Sequence, residues 1–505
     1  MYWPAAWPDR GRRKKLRRGL LLAALALWGG TSYWHTHKPL PPGIHVESAA
    51  FEVPATDLKL IADITAADAY GRQVLSHAIF DETLSVVRSA QRFLVLDYFL
   101  FNNQRGTAEV QSTPARAVSA ELRDALIDRR QAQPQLQVLL ILDPINEVYG
   151  SVASMDLALL RAAGVDVVTT DLDPLRDSNF LYSGLWRLTM KWWADPESRD
   201  EGWLPNPLDA SLAPLTIGTW ARLVNFKANH RKVIIGDDGE GGLVGIVASA
   251  NPHDASSAHS NIAMKVRGPA LEPLLASEIE IARLSGWRGP APSLASRGRA
   301  GVGASPSAQV RILTEGAIRA QLLARLAITT QGDAVDIAMF YIADRQVVEA
   351  LLAASQRGVI VRLILDPNKD AFGRTKNGIP NRPVASELVT ASDGAIEVRW
   401  YRTHGEQFHT KLVMIYGPER LWLTLGSANL TRRNLADYNL EGNVAIEMPR
   451  GAQLAVQALE YFDTLWSNRA ALGIEYTADF GVYADPAQTH YWLYRFMEAT
   501  GLSTF

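Results

Sequence analysis

Five short apolar segments occur twice along this chain, in the same order, and this repetition constrains the fold more than any other feature. The paired segments are 93–101 with 335–343, 139–144 with 362–367, the segments starting at Val165 and Ile396, 229–236 with 408–417, and 245–251 with 423–429. Their β-branched and apolar composition predicts buried strands. Helical patterns such as 118–130 and 345–356 lie between them. This alternation predicts an α/β fold of two similar halves, each a mixed, largely parallel sheet flanked by helices.

The two halves are separated by residues 285–308, whose glycine, proline, serine and alanine content is typical of a linker or long surface loop. The predicted organisation is a basic N-terminus with a membrane signal anchor at 1–45, a first half at 46–284, the linker, and a second half at 309–505. The sequence does not set the oligomeric state, because both halves lie in one chain.

The first half carries an insertion relative to the second. Asp143 and His230 are 87 residues apart, whereas Asp366 and His409 are only 43 apart. The extra residues are expected at about 173–220. This insert is rich in large apolar side chains with two cations among them: Phe180, Leu181, Tyr182, Leu185, Trp186, Arg187, Leu188, Lys191, Trp192, Trp193 and Trp203. Such a segment either enters a lipid interface or covers the core or the second half.

The N-terminus combines a cluster of cations with a short apolar run. The cations are Arg10, Arg12, Arg13, Lys14, Lys15, Arg17 and Arg18, and residues 19–34 follow as the apolar run. This pattern is typical of a signal peptide or signal anchor, although the run is short against the roughly 20 residues of a spanning helix. Cleavage near residues 24–26 and twin-arginine export remain alternatives. We expect a single uncleaved anchor in a bacterial inner membrane, with the remaining chain on the periplasmic side.

The repeated segments carry a repeated set of polar residues. In the first half these are His230, Lys232, Ser249, Asn251 and Asn261, with Asp237 as an additional acid. In the second half they are His409, Lys411, Ser427, Asn429 and Asn439, with Glu441 two residues beyond. The spacings agree to within one residue. Because side chains alternate along a strand, each histidine and the lysine two residues later point to one face, where they can address one phosphate.

One histidine near a lysine would be weak evidence, but two copies inside repeated strands predict a functional site. Five other histidines are not part of any repeated motif: His35, His37, His45, His77 and His490. His404 lies five residues before His409, a poor spacing for a pair of metal ligands. His253 and His259 lie near the first motif and are expected at its rim. The chain has no cysteine, which excludes disulfides, thiolate metal sites and cysteine nucleophiles. Its net charge of −2 provides no global basic field for a nucleic acid.

These motifs resemble those of the phospholipase D superfamily, which includes bacterial cardiolipin synthases. The resemblance covers nearly all of the chain after the N-terminal run. It is carried by NHRKVIIGDD with ASAN in the first half, and by FHTKLVMIYG with GSANLTRRNLADYNLEGN in the second. It implies two α/β halves that face each other across a pseudo-twofold axis, with the two motifs meeting at the interface.

The resemblance also implies a mechanism that suits the residue types. One histidine attacks phosphorus and forms a phosphohistidine, and the other protonates the departing alcohol and then activates water or an acceptor alcohol. We expect His230 as the nucleophile and His409 as the acid. Both lysines would neutralise the phosphoryl oxygens while Ser249, Asn251, Ser427 and Asn429 contact the substrate, and Asp237, Asn261, Asn439 and Glu441 would support the site. No metal or other cofactor is implied.

Two positions depart from the family pattern. Tyr416 occupies the place where the family has the second motif aspartate, and Ala248 replaces the glycine that usually precedes Ser249. The expectation is weaker support of the second motif rather than an inactive site.

Three functions remain open from sequence alone. The first is an enzyme that cleaves or exchanges the headgroup of a membrane glycerophospholipid, for example to make cardiolipin. The second is an exported nuclease of the same superfamily, which the net charge disfavours. The third is a non-catalytic membrane scaffold, which only Tyr416 favours. The expected partners are therefore a phospholipid substrate and a membrane, with no nucleic acid.

Overall fold

A computed structural model describes residues 10–68, 70–104, 116–194, 202–207, 212–292, 307–371, 374–469, 473–503 and 505. Most of the predicted linker, residues 293–306, lies outside the described residues. The strands are, in chain order, β1 Phe51–Pro54, β2 Leu58–Asp63, β3 Thr65–Ala67, β4 Gln73–Leu75, β5 Phe93–Tyr98, β6 Gln137–Leu142, β7 Asp166–Thr169, β8 Lys232–Asp237, β9 Leu243–Ala248, β10 Asn261–Arg267, β11 Ser307–Thr314, β12 Ala334–Met339, β13 Ile360–Leu365, β14 Asp370–Ala371, β15 Arg374–Thr375, β16 Ile396–Tyr401, β17 Lys411–Tyr416, β18 Arg420–Gly426, β19 Gly442–Pro449 and β20 Thr477–Asp479.

The α-helices that accompany these strands are, in chain order, α1 Arg10–His37, α2 Ala78–Ser89, α3 Val118–Ala132, α4 Met155–Ala162, α5 Phe180–Leu188, α6 Ile217–Leu223, α7 Glu272–Leu284, α8 Gly316–Ala327, α9 Arg345–Gln356, α10 Asn381–Ala391, α11 Arg432–Leu435, α12 Gln453–Trp466 and α13 Gln488–Thr500. The predicted helical segments 118–130 and 345–356 correspond to α3 and α9. Each predicted repeat segment likewise contains a strand.

The two halves have the same strand order. The first sheet runs β2-β10-β9-β8-β5-β6-β7, and the second contains β11-β19-β18-β17-β12-β13-β16 in the corresponding positions. Parallel pairing is confined to β5, β6 and β7 in one sheet and to β12, β13 and β16 in the other. The remaining neighbours are antiparallel, because β8, β9 and β10 follow one another through short connections. The mixed α/β class is confirmed, with a smaller parallel share than the sequence indicated.

The core is arranged in layers. One cluster of buried apolar residues joins the inner faces of both sheets, with Val95 and Ile262 from the first and Met414 and Ile446 from the second. A second cluster lies between the first sheet and α2, α3 and α4. A third lies between the second sheet and α8, α9 and α10. The two sheets therefore pack face to face with helices on both outer sides, which holds both histidine motifs against the shared inner layer.

One edge strand crosses the predicted boundary between halves. Strand β1 precedes the first half in sequence, yet it pairs antiparallel with β11 at the edge of the second sheet. Ser48 continues this pairing, because its backbone N–H donates to the Ile312 carbonyl at 3.0 Å. The segment that follows α1 thus belongs structurally to the second sheet.

The insert contains α5, a 3₁₀ turn at Met190–Trp192, and most of α6. Trp186 is buried in a small separate cluster with Ala194 and Ala221, so this side chain packs inside the insert and against α6. The apolar side chains that remain exposed are Leu181, Leu185, Leu188, Trp192, Trp193 and Trp203. Residues 195–201 and 208–211 lie outside the described residues. Within the described part of the chain, no helix combines the length and apolarity needed to cross a bilayer.

The two halves are joined by a fully buried arginine in the first motif. The guanidinium of Arg231 donates to Glu278 at 3.1 Å and to Glu315 at 2.6 Å, and all three side chains are inaccessible to solvent. Its Nε also donates to the backbone carbonyl of Glu441 at 3.1 Å. Glu278 belongs to the first half, whereas Glu315 and Glu441 belong to the second. Arg231 therefore ties the first motif to the second half.

Replacing Arg231 by methionine should destabilise the fold by about 3–5 kcal/mol, because two buried carboxylates lose their counter-charge. Burial raises the pKa of Glu315 to about 7 even beside Arg231. A folded pKa above the unfolded value means that stability is present at low pH and lost as pH rises through the folded pKa. The loss in free energy of unfolding should thus be largest above pH 8 and smaller near pH 5. Urea unfolding of wild type and variant at both pH values measures it. An equal loss at both would contradict this.

Candidate active site

Each motif histidine is placed by a buried aspartate that the sequence analysis did not assign. Asp143 accepts the backbone N–H of Asn229 at 2.7 Å, next to His230. Asp366 accepts the backbone N–H of Phe408 at 2.8 Å, next to His409. Each aspartate is the middle residue of a repeated LDP segment. This repeat is the sequence signal that could have identified the two aspartates. These hydrogen bonds fix the backbone just before β8 and β17.

The two motifs meet where the halves touch. Asn229 forms an isolated parallel bridge with Leu440, and Ser260 forms one with Phe408. The backbone N–H of His230 donates to the Leu440 carbonyl at 2.9 Å. Each catalytic candidate thus follows directly on a backbone contact with the other half, and both imidazoles line one cavity.

His230 contacts a carboxylate from the opposite half. Its Nδ1 lies 2.9 and 3.1 Å from the two oxygens of Glu441. Burial lowers the pKa of His230 to about 4, against the opposing effect of Glu441. Burial alone would raise the pKa of Glu441, but His230 and Lys232 hold it below its usual value. A neutral imidazole that donates Nδ1–H to an ionised carboxylate leaves the Nε2 lone pair free toward the cavity.

His409 contacts a neutral amide instead. Its Nδ1 lies 3.1 Å from Oδ1 of Asn261, whose Nδ2 donates to the His259 carbonyl at 3.1 Å. The Phe340 ring packs 5.0 Å from the His409 ring. Burial, followed by the nearby Lys411 charge, lowers the pKa of His409 well below its usual value. The two imidazoles therefore differ in their partners although their motifs are alike.

The two motif lysines are buried beside the imidazoles. Lys232 Nζ donates to the His230 carbonyl at 2.6 Å, and Lys411 Nζ donates to the His409 carbonyl at 2.9 Å. Burial lowers the pKa of Lys232 to about 7. Burial and the Lys232 charge also lower the pKa of Lys411 well below its usual value. An anion bound between these ammonium groups would raise the pKa of both lysines, because it stabilises their charged forms.

Of four further predicted residues, two line the cavity and two support the side chains around it. Asn251 and Asn429 line the cavity. Ser249 and Ser427, expected beside the substrate, lie fully buried behind it. Ser249 Oγ donates to Asn261 at 2.9 Å, and Ser427 Oγ donates to Glu441. The structure therefore gives both serines a contact with the side chains that hold the histidines.

Asn439 and Asn434 complete the second half of the site. Asn439 lines the cavity and accepts the backbone N–H of Ala228 at 3.2 Å. Asn434, which the sequence analysis did not single out, donates its amide to Glu441 and also lines the cavity. Among the described residues, no group of three or more carboxylate or imidazole side chains is arranged to hold a metal ion.

The cavity has a volume of about 480 Å³ and a largely aromatic and aliphatic wall. Its apolar lining residues are Phe99, Leu100, Ile145, Tyr149, Pro207, Trp220, Leu223, Val224, Phe226, Phe340 and Tyr341. Three cations, Lys227, Lys376 and Arg433, also reach its wall. An apolar pocket with a few convergent polar groups is typical of a site for a small amphipathic ligand.

Residues 324–466 match the family model described as "Cardiolipin synthase, PLD-like domain". This segment therefore carries a phospholipase D-like domain. The match supports a phosphodiesterase or phosphatidyltransferase activity in general. No curated protein matches the chain in sequence.

A solved structure supports the same fold. Phosphatidylserine synthase from Haemophilus influenzae Rd KW20 is similar with a TM-score of 0.52 and 11% identity, over 94% of this chain and 98% of that one. Two further structures are more distant. Polyphosphate kinase from Porphyromonas gingivalis has a TM-score of 0.40 and 13% identity, over 88% of this chain and 53% of that one. The phospholipase D family member Nuc from Salmonella typhimurium has a TM-score of 0.26 and 22% identity, over 32% and 95%.

The departure at Tyr416 from the phospholipase D superfamily pattern has a local explanation. In the first half, Asp237 ends β8 and accepts the backbone N–H groups of Gln91, Arg92 and Phe93. In the second half, the Tyr416 hydroxyl donates to Asp336 at 2.9 Å, and Asp336 also pairs with Arg362. Both positions lie at the strand end away from the histidines, so a different polar contact replaces the aspartate without touching the cavity.

Ala248 differs from its counterpart Gly426 because the space around these two residues differs. A Cβ placed on Gly426, the corresponding residue of the second half, would lie 2.3 Å from the Gly442 carbonyl oxygen. Only glycine fits there. Ala248 instead packs its methyl group into the core between the first sheet and its helices.

Proposed function

We propose that this protein cleaves or exchanges the headgroup of membrane glycerophospholipids through a phosphohistidine intermediate, with cardiolipin synthesis by phosphatidyl transfer as the specific candidate. The observation that carries the proposal is that two imidazoles with different Nδ1 partners line one largely apolar cavity, and that a buried lysine contacts the backbone carbonyl of each histidine. The match to the phospholipase D-like domain supports the reaction class, and the cavity wall supports a lipid over a nucleic acid.

His230 is the proposed nucleophile because Glu441 compensates the charge that the intermediate creates. The Nε2 lone pair attacks phosphorus, the P–N bond forms, and the bond from phosphorus to the leaving alcohol breaks. The imidazole then carries a positive charge with its Nδ1–H toward the Glu441 carboxylate. His409 lacks such a carboxylate, which suits it to proton transfer.

His409 is the proposed acid and base. Its imidazolium gives a proton to the departing alkoxide, and the neutral ring then takes a proton from water or an acceptor alcohol. That oxygen attacks phosphorus, the P–N bond breaks and His230 is restored. The low pKa of His409 in the free protein means that the proton arrives with the substrate, because the bound phosphodiester brings a negative charge.

The lysines and asparagines are proposed to hold the phosphoryl group. Lys232 and Lys411 flank the two histidines and would balance the charge on the phosphoryl oxygens. Asn251 accepts the Leu100 backbone N–H through Oδ1 at 3.2 Å, which leaves its amide hydrogens available on the cavity side. The aromatic wall would then contact the glycerol and the first methylenes of the acyl chains.

Replacing Asn261 by aspartate should extend activity to higher pH. The general acid must be protonated, so turnover falls as pH rises through the pKa of His409. A carboxylate beside Nδ1 raises that pKa, by roughly 1–3 units for a close pair. The alkaline limb of the kcat profile should shift upward accordingly. Asn439→Asp, which adds the same charge elsewhere on the cavity wall, should shift it less; equal shifts would contradict the assignment.

The test of the proposed function is a product analysis with the purified full-length protein. It is incubated separately with vesicles of phosphatidylglycerol, vesicles of phosphatidylethanolamine, and single-stranded DNA. We expect consumption of a phospholipid, with cardiolipin and free glycerol from phosphatidylglycerol if the acceptor is a second lipid, or phosphatidic acid if it is water. Cleavage of DNA with no change in either lipid would overturn the proposal.

A further inference from the structure

We propose that the N-terminal helix and the insert together form one membrane-docking surface, which inserts into the interface of an anionic bilayer beside the active-site cavity. The docking surface consists of the exposed leucines of α1 with the outer face of α5 and its following turn. Its exposed apolar residues are Leu20, Leu21, Leu22, Leu25, Leu27, Leu181, Leu185, Leu188, Trp192 and Trp193. The role of this surface rests on the proposed lipid function, but the contacts that define the surface are independent of that function.

The carboxyl-terminal part of α1 is packed directly on α5. The backbone N–H of Gly184 donates to Ser32 Oγ at 2.9 Å, and Ser32 is completely buried. The rings of Trp28 and Phe180 meet edge to face at 5.9 Å. A Cβ on Gly184 would lie 2.5 Å from Trp28 Cδ1, so glycine permits this close crossing.

Further contacts fix the end of α1 to the insert. The backbone N–H of Asp177 donates to the His35 carbonyl at 2.9 Å. Lys38 Nζ donates to the Asp173 carbonyl at 3.0 Å, and Arg176 Nε donates to the Lys38 carbonyl at 2.7 Å. Because α1 is bound to the insert from Trp28 onward, its exposed leucines cannot enter a bilayer without bringing α5 to the same interface.

The docking surface exposes ten large apolar side chains on two packed helices and the turn that follows α5. Trp192 is 77% exposed and Trp193 is 55% exposed, directly after the exposed leucines of α5. Soluble proteins seldom leave contiguous apolar patches of this kind uncovered, and tryptophan favours the boundary between headgroups and acyl chains. Apolar burial there contributes roughly 25 cal/mol per Å².

Charge identifies an anionic bilayer as the occupant. Six exposed or half-exposed cations lie in the first turns of α1, immediately before the leucines: Arg12, Arg13, Lys14, Lys15, Arg17 and Arg18. Each cation near an anionic surface contributes about 1 kcal/mol of attraction. A protein partner would need a matching acidic groove, whereas anionic headgroups next to an apolar layer fit cations next to leucines.

The insert connects the docking surface to the cavity. On its inner side, α5 packs through Trp186 against Ala221 of α6, and the Tyr182 hydroxyl donates to the Ala221 carbonyl at 2.7 Å. Trp220 and Leu223 of α6 line the cavity. Two packed helices, α5 and α6, therefore lie between the proposed bilayer contact and the site.

The test uses the absence of cysteine from the chain, which allows single labels without background. Single cysteines replace Leu21, Leu185 or Trp192 in the full-length protein and carry an environment-sensitive fluorophore. The control is Ile360→Cys, which is exposed at the amino end of β13, the strand end away from the cavity. The proteins are mixed with neutral vesicles of phosphatidylcholine, or with anionic vesicles in which about one third of the lipid is phosphatidylglycerol.

We expect the labels at positions 21, 185 and 192 to shift to shorter wavelength and to be quenched by lipid-borne quenchers, more strongly with phosphatidylglycerol. The label at position 360 should not respond. A response at position 21 alone would mean that α1 is a simple tether and would overturn the proposal, as would equal responses at positions 185 and 360.

An activity assay separates this proposal from the proposed function. Leu185→Glu combined with Trp192→Glu should lower turnover of vesicle phospholipid at least 10-fold and leave turnover of a monomeric short-chain phospholipid unchanged, with an unchanged melting temperature. Equal turnover of vesicles by variant and wild type would overturn the docking surface. Absence of turnover of both substrates by the wild type would overturn the proposed function, while the label responses would still decide the docking surface.

Discussion

Replacing His230 by alanine should lower kcat for phospholipid turnover by a factor of about 10⁴ or more, because the reaction loses its nucleophile. Replacing His409 by alanine should have a similar effect on a natural substrate, because an alkoxide is a poor leaving group without a proton donor. The two losses should not add in the double variant, since either removal already stops the same chemical step. Steady-state kinetics on phosphatidylglycerol vesicles measures both.

Two controls make the histidine prediction specific. Thermal melting should show that each variant remains folded, because both imidazoles border a cavity that can admit water. His490→Ala provides a matched substitution on α13, where the side chain contacts Asp485 and lies outside the cavity wall. It should retain wild-type turnover. Turnover within 10-fold of wild type in both His230→Ala and His409→Ala would end the site assignment.

Replacing Glu441 by glutamine should lower kcat by roughly 10²–10⁴, comparable to the loss of the orienting carboxylate in a histidine-based hydrolase. The carboxylate accepts from His230, Ser427 and Asn434, so it fixes the tautomer that leaves Nε2 free and balances the phosphohistidine charge. A glutamine amide can present its NH₂ group to Nδ1 and favour the wrong tautomer. The effect should appear in kcat more than in KM, because it concerns the charged intermediate.

The matched control for Glu441 is Glu447→Gln in β19, the strand that begins directly after Glu441. Glu447 pairs with Arg325 and Arg420 at the outer end of the strand, away from the cavity. This variant should keep kcat within a factor of about two, since exposed ion pairs contribute little. Equal kcat losses in the two glutamine variants would show that Glu441 acts only through the stability of β19.

The repeat predicted the strands well because each one is a buried run bounded by turn residues, and burial leaves a clear apolar signal. Strand β12, for example, covers five of the nine residues at 335–343 and begins one residue earlier. The parallel share was overestimated because the alternation of strands and helices ends at β7 and β16 in the two halves. The following strands form antiparallel hairpins, and their apolar runs look the same in either orientation.

The structure places His230 and His409 on one cavity, which the resemblance to the phospholipase D superfamily implied, but the partners of these side chains were less accessible from sequence. Glu441 was identified as supporting, whereas its pairing with His230 rather than His409 depends on contact between the halves. The positions of Asp143 and Asp366 were visible as a repeated LDP, yet their role is to accept backbone N–H groups, which leaves no spacing signature. The path of β1 to the second sheet depends on long-range packing and has no local signal.

The insert shows a similar limit. Its tryptophans are alike in composition, but Trp186 is buried with Ala194 and Ala221, while Trp192, six residues later, is exposed. Helical position relative to α1 and α6 decides between these outcomes, and neither neighbour is adjacent in sequence. Burial of Trp186 agrees with a packing role for part of the insert, whereas the lipid-interface role of the exposed residues stays a proposal.

The central claim is that His230 attacks phosphorus while His409 transfers protons, and a phosphodiester with a p-nitrophenyl leaving group tests it most directly. Nitrophenolate departs without protonation, so His409→Ala should release about one equivalent of nitrophenolate per protein in a burst and then stop. Mass spectrometry should locate the phosphoryl adduct on residue 230, and His230→Ala should show no burst. A burst from His230→Ala, or an adduct on residue 409, would contradict the account.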